Sequence, residues 1–290
     1  MKLGIYGNCQ ASGFAASIEA MFPEAELHVY RLNEAIKAND DELSQQVAKF
    51  SQCDIIFYQP SLGGQRAPLT QEGFAAVCDR LIAYPHIAFR GLQPDCDVVR
   101  ANGAPIQGPM GPYHSALIAA CALERVSEER TTMLFNAYSY ARLNYLRRAH
   151  TKEVLVRDSA ALGYDFSDFL AGAHGRFMNT INHPAINIIF DSARQALARA
   201  GLPAAPDAPM PDDNLARSYV WPVYPEIGRA FGIVEDMRFV ATRKRLPLEE
   251  FIGESFRAYA PHRDLLQSPQ IEAVRSFLRK ELGSLRGAPG

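Results

Sequence analysis

Short apolar runs alternate with amphipathic segments in the first hundred residues of the chain. The apolar run Lys2 to Tyr6 ends at Gly7-Asn8, and the segment Cys9 to Phe22 then carries apolar residues at helical spacing. This order predicts a strand, a tight turn and a helix. The next elements that the pattern predicts are a strand around Leu27 and Val29, a helix over 40–50, a buried strand over 54–58, a helix over 70–81 capped by Thr70, and a strand over 86–89.

Because helices separate these strands, the pattern predicts an α/β domain over residues 1–108, with an open, mostly parallel sheet and helices on both faces. Strand signals fade after Pro109, and residues 109–290 are predicted to form a mostly helical portion that carries His183 and returns to the cleft. The predicted helices of this portion are 114–124, 128–149, 165–173, 184–201, 225–231, 247–258 and 269–283, with a connector rich in Pro and Ala at 201–211 and a short strand at 237–241.

Charge and hydropathy limit the functional classes. Thirty basic residues against 32 acidic ones give a net charge of −2, so no large field is available to attract nucleic acid or an anionic membrane. No apolar run reaches the length of a membrane span, and Asn8, Gln10 and Glu19 interrupt the apolar start of the chain, which does not resemble a signal peptide. We therefore expect a cytoplasmic protein.

Five cysteines without a CxxC pair argue against a disulfide framework and against a zinc module, so no metal is expected. Cys53, Cys78 and Cys121 lie in apolar surroundings, where a free cysteine usually packs in the core. Cys9 differs because it lies between the first strand and the first helix. In open α/β sheets ligands bind at this edge.

A helix N-terminus favours a thiolate, so the position of Cys9 predicts a lowered pKa and a nucleophilic role. The backbone N–H groups of Cys9 and Gln10 could also face an oxyanion on an attacked carbonyl. The alternative is that Gly7-Asn8 is only a turn and that Cys9 fills the first helical turn as a small packing residue.

A cysteine nucleophile needs a base, and His183 is the strongest candidate among seven histidines. Pro184 is suited to the first position of a helix, which would place Asn182 or His183 at its cap. Asn179 and Asn182 are candidates to orient the imidazole. The alternative is a cap histidine without a catalytic role. His114 is a second candidate, but a polar residue at a helix start explains it better.

Positive charge is concentrated at Arg90 and in the stretch that contains Arg147, Arg148 and Lys152. These residues either form a solvated basic face or bind the phosphates of a carrier such as coenzyme A, because Arg makes bidentate contacts with phosphate. The sequence contains neither GxxxxGK[ST] nor GxGxxG, so the phosphate loops of nucleotide triphosphate and dinucleotide sites are missing.

Four motifs in order, Gly7-Asn-Cys-Gln10, Asp54 to Pro60, Gly111-Pro-Tyr-His114 and Asn179 to Pro184, resemble the WcbI family of capsular polysaccharide biosynthesis enzymes. The similarity spans roughly residues 1–235. It implies an α/β part similar to SGNH-type hydrolases or flavodoxin, a helical portion beside it, and a link to coenzyme A and to O-acetylation of capsular sugar. It also implies that Cys9 and His183 take the places of the hydrolase serine and histidine.

One departure is Thr180, which stands where SGNH-type enzymes have an Asp three residues before the histidine. A Cys–His pair tolerates this change better than a Ser–His pair, because a thiol ionises more readily than a hydroxyl. The predicted site consists of catalytic Cys9 and His183, of Gly7, Asn8, Gln10, Gln59 and Asn182 as oxyanion or orienting residues, and of Arg90, His114, Arg147, Arg148 and Lys152 for coenzyme A.

The resulting hypothesis is an acetyltransferase that moves an acetyl group from acetyl-coenzyme A to a sugar hydroxyl and is associated with other capsule biosynthesis proteins. Two alternatives stay open. The first is an esterase or deacetylase that acts on a carbohydrate ester with the same Cys–His pair. The second is a non-catalytic subunit of capsule assembly that binds a sugar or a nucleotide.

Overall fold

The computed structural model describes residues 1–60, 62–101, 104–147, 149–242, 244–261 and 268–286. The strands are β1 Lys2–Gly7, β2 Glu26–Arg31, β3 Ile55–Tyr58, β4 Leu81–Ala83, β5 Cys96–Val98, β6 Arg100–Ala101, β7 Ala104–Pro105, β8 Tyr113–Ser115, β9 Tyr219–Val220, β10 Arg238–Ala241 and β11 Lys244–Pro247. The helices are α1 Ala11–Met21, α2 Leu32–Ala35, α3 Asp40–Phe50, α4 Gln71–Ala75, α5 Ala116–Leu123, α6 Glu128–Met133, α7 Ala137–Arg142, α8 Ala149–Ala161, α9 Ser167–Ala171, α10 Ile186–Arg199, α11 Pro225–Gly228, α12 Leu248–Tyr259 and α13 Pro269–Arg286.

The chain forms two compact units, and neither is a single continuous segment. The first unit comprises Met1–Ala88, Glu153–Phe177 and His183–Ala216. The second comprises Phe89–Lys152, Met178–Asn182 and Arg217–Gly290. The predicted boundary at residue 108 is therefore not where the chain divides. A parallel sheet needs helices on both faces, and later segments supply part of this cover.

The first unit contains a four-stranded parallel sheet in the order β2-β1-β3-β4. The predicted α/β class with an open parallel sheet is confirmed, and the order agrees with the start of a flavodoxin-like doubly wound sheet. In the central strand β1, Leu3, Ile5 and Tyr6 are fully buried. The carboxyl ends of β1 and β3 lie side by side, which is where such sheets bind their ligands.

Several predicted elements have different bounds in the structure. Thr70 does cap a helix, since its hydroxyl accepts a hydrogen bond from the N–H of Gly73 at 3.3 Å, but this helix ends at Ala75. The fourth strand is Leu81–Ala83, because these residues pair with β3, whereas the predicted strand over 86–89 is irregular.

The predicted helix over 128–149 is interrupted after Met133. Asn136 begins a second helix there, because its side-chain oxygen accepts a hydrogen bond from the N–H of Ser139 at 2.9 Å. The second unit also contains strands that the helical pattern did not predict, including the antiparallel pairs β5-β8 and β6-β7. Each of these strands is only two or three residues long, too short for a periodicity to be detected.

No helix in the described part of the chain is both long and apolar enough to cross a membrane. Across the same residues, no group of three or more His, Cys, Asp or Glu side chains is arranged to hold a metal ion.

Candidate active site

Cys9 lies in the turn between the central strand β1 and helix α1. It is the one exposed cysteine, and the other four are buried. The turn is closed by a hydrogen bond of 3.1 Å from the N–H of Ala11 to the carbonyl of Asn8. The local pattern of strand, turn and helix thus placed the thiol correctly at the carboxyl edge of the sheet.

Two buried glutamine side chains fix the shape of this turn. Gln59, which follows β3, accepts a hydrogen bond at 2.9 Å from the N–H of Asn8 through Oε1. Its Nε2 donates to Oε1 of Gln10 and to the carbonyl of Pro85, both at 3.2 Å. The Asn8 side chain in turn accepts from the N–H of Gln10 at 2.9 Å. The turn is therefore held by side chains of two neighbouring strand ends.

Gln10 extends this network to the segment after β4. Its Nε2 donates to the carbonyl of Ile87 at 2.8 Å, and its Oε1 accepts from the N–H of Ile87 at 3.1 Å. Gln10 and Gln59 are only 2% and 0% exposed. The predicted oxyanion role does not fit Gln59, because both of its amide hydrogens are used and its side chain is buried. Gln59 acts as a positioning residue, and the backbone N–H of Gln10 is likewise occupied by Asn8.

Glycine is required at position 7 because the side chains of Tyr84 and Gln59 leave no space for a Cβ atom. A Cβ at this position would lie 2.3 Å from the Tyr84 hydroxyl oxygen and 2.7 Å from Oε1 of Gln59. The Tyr84 hydroxyl donates to the carbonyl of Tyr6 at 3.2 Å, and its ring stacks on Phe14 of α1 with centroids 4.0 Å apart. Gly7 thus gives space for the groups that hold the end of β1.

Desolvation raises the pKa of the Cys9 thiol above its ordinary value, although the side chain is exposed. The backbone N–H of Cys9 and the Arg31 guanidinium lower it by less. The predicted depression of this pKa is therefore wrong. Helix α1 begins at Ala11, so Cys9 precedes its first turn, and the favourable effect of a helix N-terminus is short-ranged. The resting thiol is protonated at neutral pH, and its activation requires a base.

His183 lies in the first unit together with Cys9. It is half-buried and precedes α10 by three residues, whereas the prediction placed it at the helix cap. Desolvation lowers the pKa of its imidazole, and the Asp213 carboxylate opposes this shift. A lowered pKa keeps the imidazole neutral at pH 7, which is the form that accepts a proton.

Asp213 is a candidate site residue that the sequence analysis missed. Its carboxylate accepts hydrogen bonds from the N–H of Ile186 at 3.0 Å and of Ala216 at 2.9 Å. It thereby caps α10, whose own N-cap residue Ala185 provides no side-chain bond. The available signal was the acidic pair that directly follows the Pro-rich connector, a segment interpreted only as a linker.

The helix that follows Cys9 and the helix that follows His183 are in contact. Helix α1 packs on α10. A Cβ on Gly13, in the first turn of α1, would lie 3.3 Å from Cδ1 of Ile189 and 3.5 Å from both Cδ1 of Ile186 and Oδ1 of Asn214. The start of the helix after Cys9 therefore touches the start of the helix after His183, beside Asp213.

The two asparagines proposed to orient His183 belong to the second unit. Asn182 accepts hydrogen bonds from the Tyr113 hydroxyl at 2.6 Å and from the Thr180 hydroxyl at 3.3 Å. Asn179 is buried, and its carbonyl accepts from the N–H of Trp221 at 2.7 Å. These bonds give both residues a role within their own unit, whereas Asp213 belongs to the unit of His183 and acts on the pKa of its imidazole.

His114 is fully buried in β8, and its predicted cofactor-binding role is wrong. Its Nδ1 lies 3.1 Å from the Tyr259 hydroxyl and its Nε2 lies 2.9 Å from the carbonyl of Ile106. Desolvation lowers the pKa of this imidazole. Since both ring nitrogens have partners in the core, no face of the ring is available to a ligand.

Arg90 and Arg147 line one cavity of the second unit together with Asn144 and Gln270. The Arg90 guanidinium forms a salt bridge with Asp97 at 3.1 Å, so its charge is partly compensated. Arg147 and Lys152 are exposed, and Lys152 lies in α8 rather than in one helical stretch with Arg147. Arg148 lies outside the described residues. The structure thus brings two of the four predicted phosphate-binding residues together.

Comparison with known proteins bears on the fold and on the family. One solved structure with 18% sequence identity aligns with a TM-score of 0.71 and covers 98% of this chain and 96% of its own. It is described as WcbI, a novel polysaccharide biosynthesis enzyme, in a native form without a disulfide bond between coenzyme A and one of its cysteines. At this identity the likeness demonstrates a common fold.

No curated protein sequence matches the chain significantly. The profile of one family, described as polysaccharide biosynthesis enzyme WcbI, matches residues 2–205. This match covers most of the chain and includes Cys9, His183 and the whole parallel sheet. The chain therefore belongs to the WcbI family of polysaccharide biosynthesis enzymes.

Proposed function

We propose that this protein is an acetyltransferase that uses acetyl-coenzyme A and transfers the acetyl group to a sugar hydroxyl in capsular polysaccharide biosynthesis. The observation that carries the proposal is the contact between the first turns of α1 and α10, which follow Cys9 and His183. An exposed thiol and a neutral imidazole near each other are the parts of a nucleophile and base pair.

The reaction proceeds in two balanced steps. His183 removes the proton from the Cys9 thiol as the sulfur attacks the thioester carbonyl, and the coenzyme A thiolate leaves with that proton. The sugar hydroxyl then attacks the acetyl-cysteine while His183 accepts the hydroxyl proton. The Cys9 thiolate leaves and recovers this proton from the imidazolium, which restores the starting state.

The electrostatics of the site support this use of His183. The raised pKa of the Cys9 thiol means that few thiolates exist at rest, so proton transfer must accompany attack. The lowered pKa of His183 keeps its base form present at neutral pH, and the Asp213 charge stabilises the imidazolium that forms. The assignment of Arg90 and Arg147 to the phosphates of coenzyme A stays a prediction from the sequence.

The test is turnover of labelled acetyl-coenzyme A with a mixture of capsular oligosaccharides as acceptor. We expect Cys9→Ala and His183→Gln each to reduce turnover by about 10³-fold, within the range that nucleophiles and general bases contribute. The matched controls are Cys53→Ala and His174→Gln. Cys53 is a core thiol and His174 an exposed imidazole of the same unit, and both variants should keep near-normal turnover.

Unchanged turnover in Cys9→Ala would contradict the nucleophilic role. The products separate the alternatives. Release of free acetate without any need for a sugar favours the hydrolase. Tight sugar binding without turnover of either acetyl-coenzyme A or a carbohydrate ester favours the non-catalytic subunit.

A further inference from the structure

One cavity of the first unit opens beside the segment that follows β4 and has no role so far. Its volume is about 540 Å³. One wall consists of Pro60, which follows β3, and of Pro85, His86 and Ala88, which follow β4. The other wall consists of the last two turns of α8 and of Leu162, which follows this helix. All of these residues belong to the first unit.

The Cys9 turn and this cavity share one wall. The segment after β4 is held on both sides of His86, because the carbonyl of Pro85 accepts from Gln59 at 3.2 Å and Ile87 exchanges two hydrogen bonds with Gln10. Gln59 and Gln10 are the side chains that shape the turn of Cys9. His86 is therefore fixed in position relative to the thiol.

The opposite wall is fixed to the sheet as well. The Tyr164 hydroxyl donates to the carbonyl of Ala83 at the end of β4, at 3.0 Å. The backbone N–H of Tyr164 donates to the carbonyl of Ser159 at 2.9 Å, near the end of α8. The cavity thus lies between two walls that are both tied to the carboxyl end of β4.

One polar atom in this wall lacks a partner. The Ser159 side chain is only 1% exposed, and its hydroxyl makes no hydrogen bond to any residue that the structure describes. A serine in a helix usually bonds to a carbonyl of the preceding turn, and Ser159 does not do so among the described residues. A buried hydroxyl without a hydrogen bond destabilises the folded protein. A bound hydroxyl group that reaches Ser159 would remove this cost.

The other polar groups of the lining suit the same kind of ligand. The exposed Asp158 carboxylate has one oxygen 3.0 Å from Nε of Arg157 and presents acceptors to hydroxyl groups. Desolvation lowers the pKa of His86, although the residue is exposed, so its imidazole is neutral and can both donate and accept. Pro60, Pro85 and Leu155 give apolar surface. A sugar ring presents hydroxyls at its edge and C–H groups on its faces, and so matches both surfaces.

We propose that this cavity binds the sugar acceptor, with His86, Asp158 and Ser159 contacting its hydroxyl groups. The inference rests on the proposed function, since it assigns the second substrate of the Cys9 site. It places the acceptor beside the segment that Gln10 links to the turn that carries Cys9. His86 and Ser159 are binding residues in this scheme, and Cys9 with His183 performs the chemistry.

The test is direct binding to the full chain, measured by saturation-transfer NMR with the methyl glycosides of glucose, galactose and mannose. We expect at least one glycoside to bind. Asp158→Asn should weaken this binding by about 10-fold and Ser159→Ala by about 5-fold, which corresponds to the loss of one hydrogen bond. The affinity for coenzyme A should stay unchanged, and Ser159→Ala should not reduce the melting temperature.

Ser192→Ala is the matched control. Ser192 is also 1% exposed, lies in a helix of the same unit and has a hydroxyl without a partner among the described residues, but it does not line the cavity. The proposal is overturned if no glycoside binds, or if Ser192→Ala weakens glycoside binding as much as Ser159→Ala does. It is also overturned if Ser159→Ala lowers the affinity for coenzyme A and leaves glycoside binding unchanged. Sugar binding without acetyl transfer would refute the proposed function and leave this site intact.

Discussion

The Cys9 turn and the surroundings of Asp95 each contain a buried network of hydrogen bonds, one in each unit. The two networks differ in the groups that are buried. At the Cys9 turn, two neutral amide side chains are buried and the Cys9 sulfur stays exposed. Around Asp95, a carboxylate is itself fully buried. It accepts hydrogen bonds from the hydroxyls of Tyr145 and Tyr224, each at 2.8 Å, from the N–H of Leu117 at 2.9 Å, and from the Ser115 hydroxyl.

The difference is one of desolvation. Burying a charge is far more costly than burying an amide whose hydrogen bonds are all made. Desolvation accordingly raises the pKa of Asp95, although its four hydrogen bonds oppose the shift. The Asp95 cluster holds together parts of the second unit that are up to 129 residues apart in sequence. The amides of Gln10 and Gln59 shape a backbone turn at lower cost, which suits a site where the reactive atom must stay accessible.

The largest expected effect that sharpens this comparison is on stability. Asp95→Ala leaves the hydroxyls of Ser115, Tyr145 and Tyr224 and one backbone N–H buried without this acceptor, so the free energy of unfolding should fall by about 3 kcal/mol. Urea unfolding followed by circular dichroism measures this change. The control is Asp236→Ala, which removes an exposed carboxylate and should change stability by less than about 0.5 kcal/mol. Equal losses in the two variants would show that the Asp95 cluster has no special role.

The second effect concerns the geometry of the Cys9 turn. Gln59→Leu removes the acceptor for the N–H of Asn8 and the links to Gln10 and Pro85. We expect kcat to fall by about 30-fold while KM for acetyl-coenzyme A stays within about twofold, because a misplaced nucleophile reacts slowly but does not alter coenzyme A binding. Steady-state kinetics measure both parameters. Gln52→Leu, an exposed change in the same unit, should leave them unaltered. A rise in KM alone would contradict the positioning role.

The smallest effect is on the titration of Cys9. Because the pKa of the Cys9 thiol is raised above 9.0, the rate of alkylation by iodoacetamide should reach half of its maximum above pH 9, whereas an ordinary thiol reaches half of its maximum by that pH. Arg31 lowers this pKa, so Arg31→Gln should move the midpoint of the titration further upward. Lys37→Gln, an exposed change nearby, should not move it. A midpoint below 8 in the natural protein would contradict the desolvation that the structure shows.

Local sequence patterns were sufficient for the first part of the site. The apolar run that ends at Gly7-Asn8 fixed the position of Cys9, because a strand, a turn and a helix are decided by neighbouring residues. The sequence could not give the surroundings of other residues. His114 resembled a ligand-binding residue, yet Tyr259, 145 residues away, seals it in the core. Gln59 resembled an oxyanion donor until the partners of its amide were visible.

The sequence by itself determined the parallel α/β class, the place of Cys9 at the end of the first strand and the family, because each depends on short-range patterns and motifs. Only the tertiary structure decided that Asp213 lies by His183 and that the pKa of the Cys9 thiol is raised rather than lowered. It also decided that the chain divides into two units, each built from three separate segments of the sequence. These properties depend on which distant side chains come together and how much water they exclude, and a linear pattern carries neither quantity.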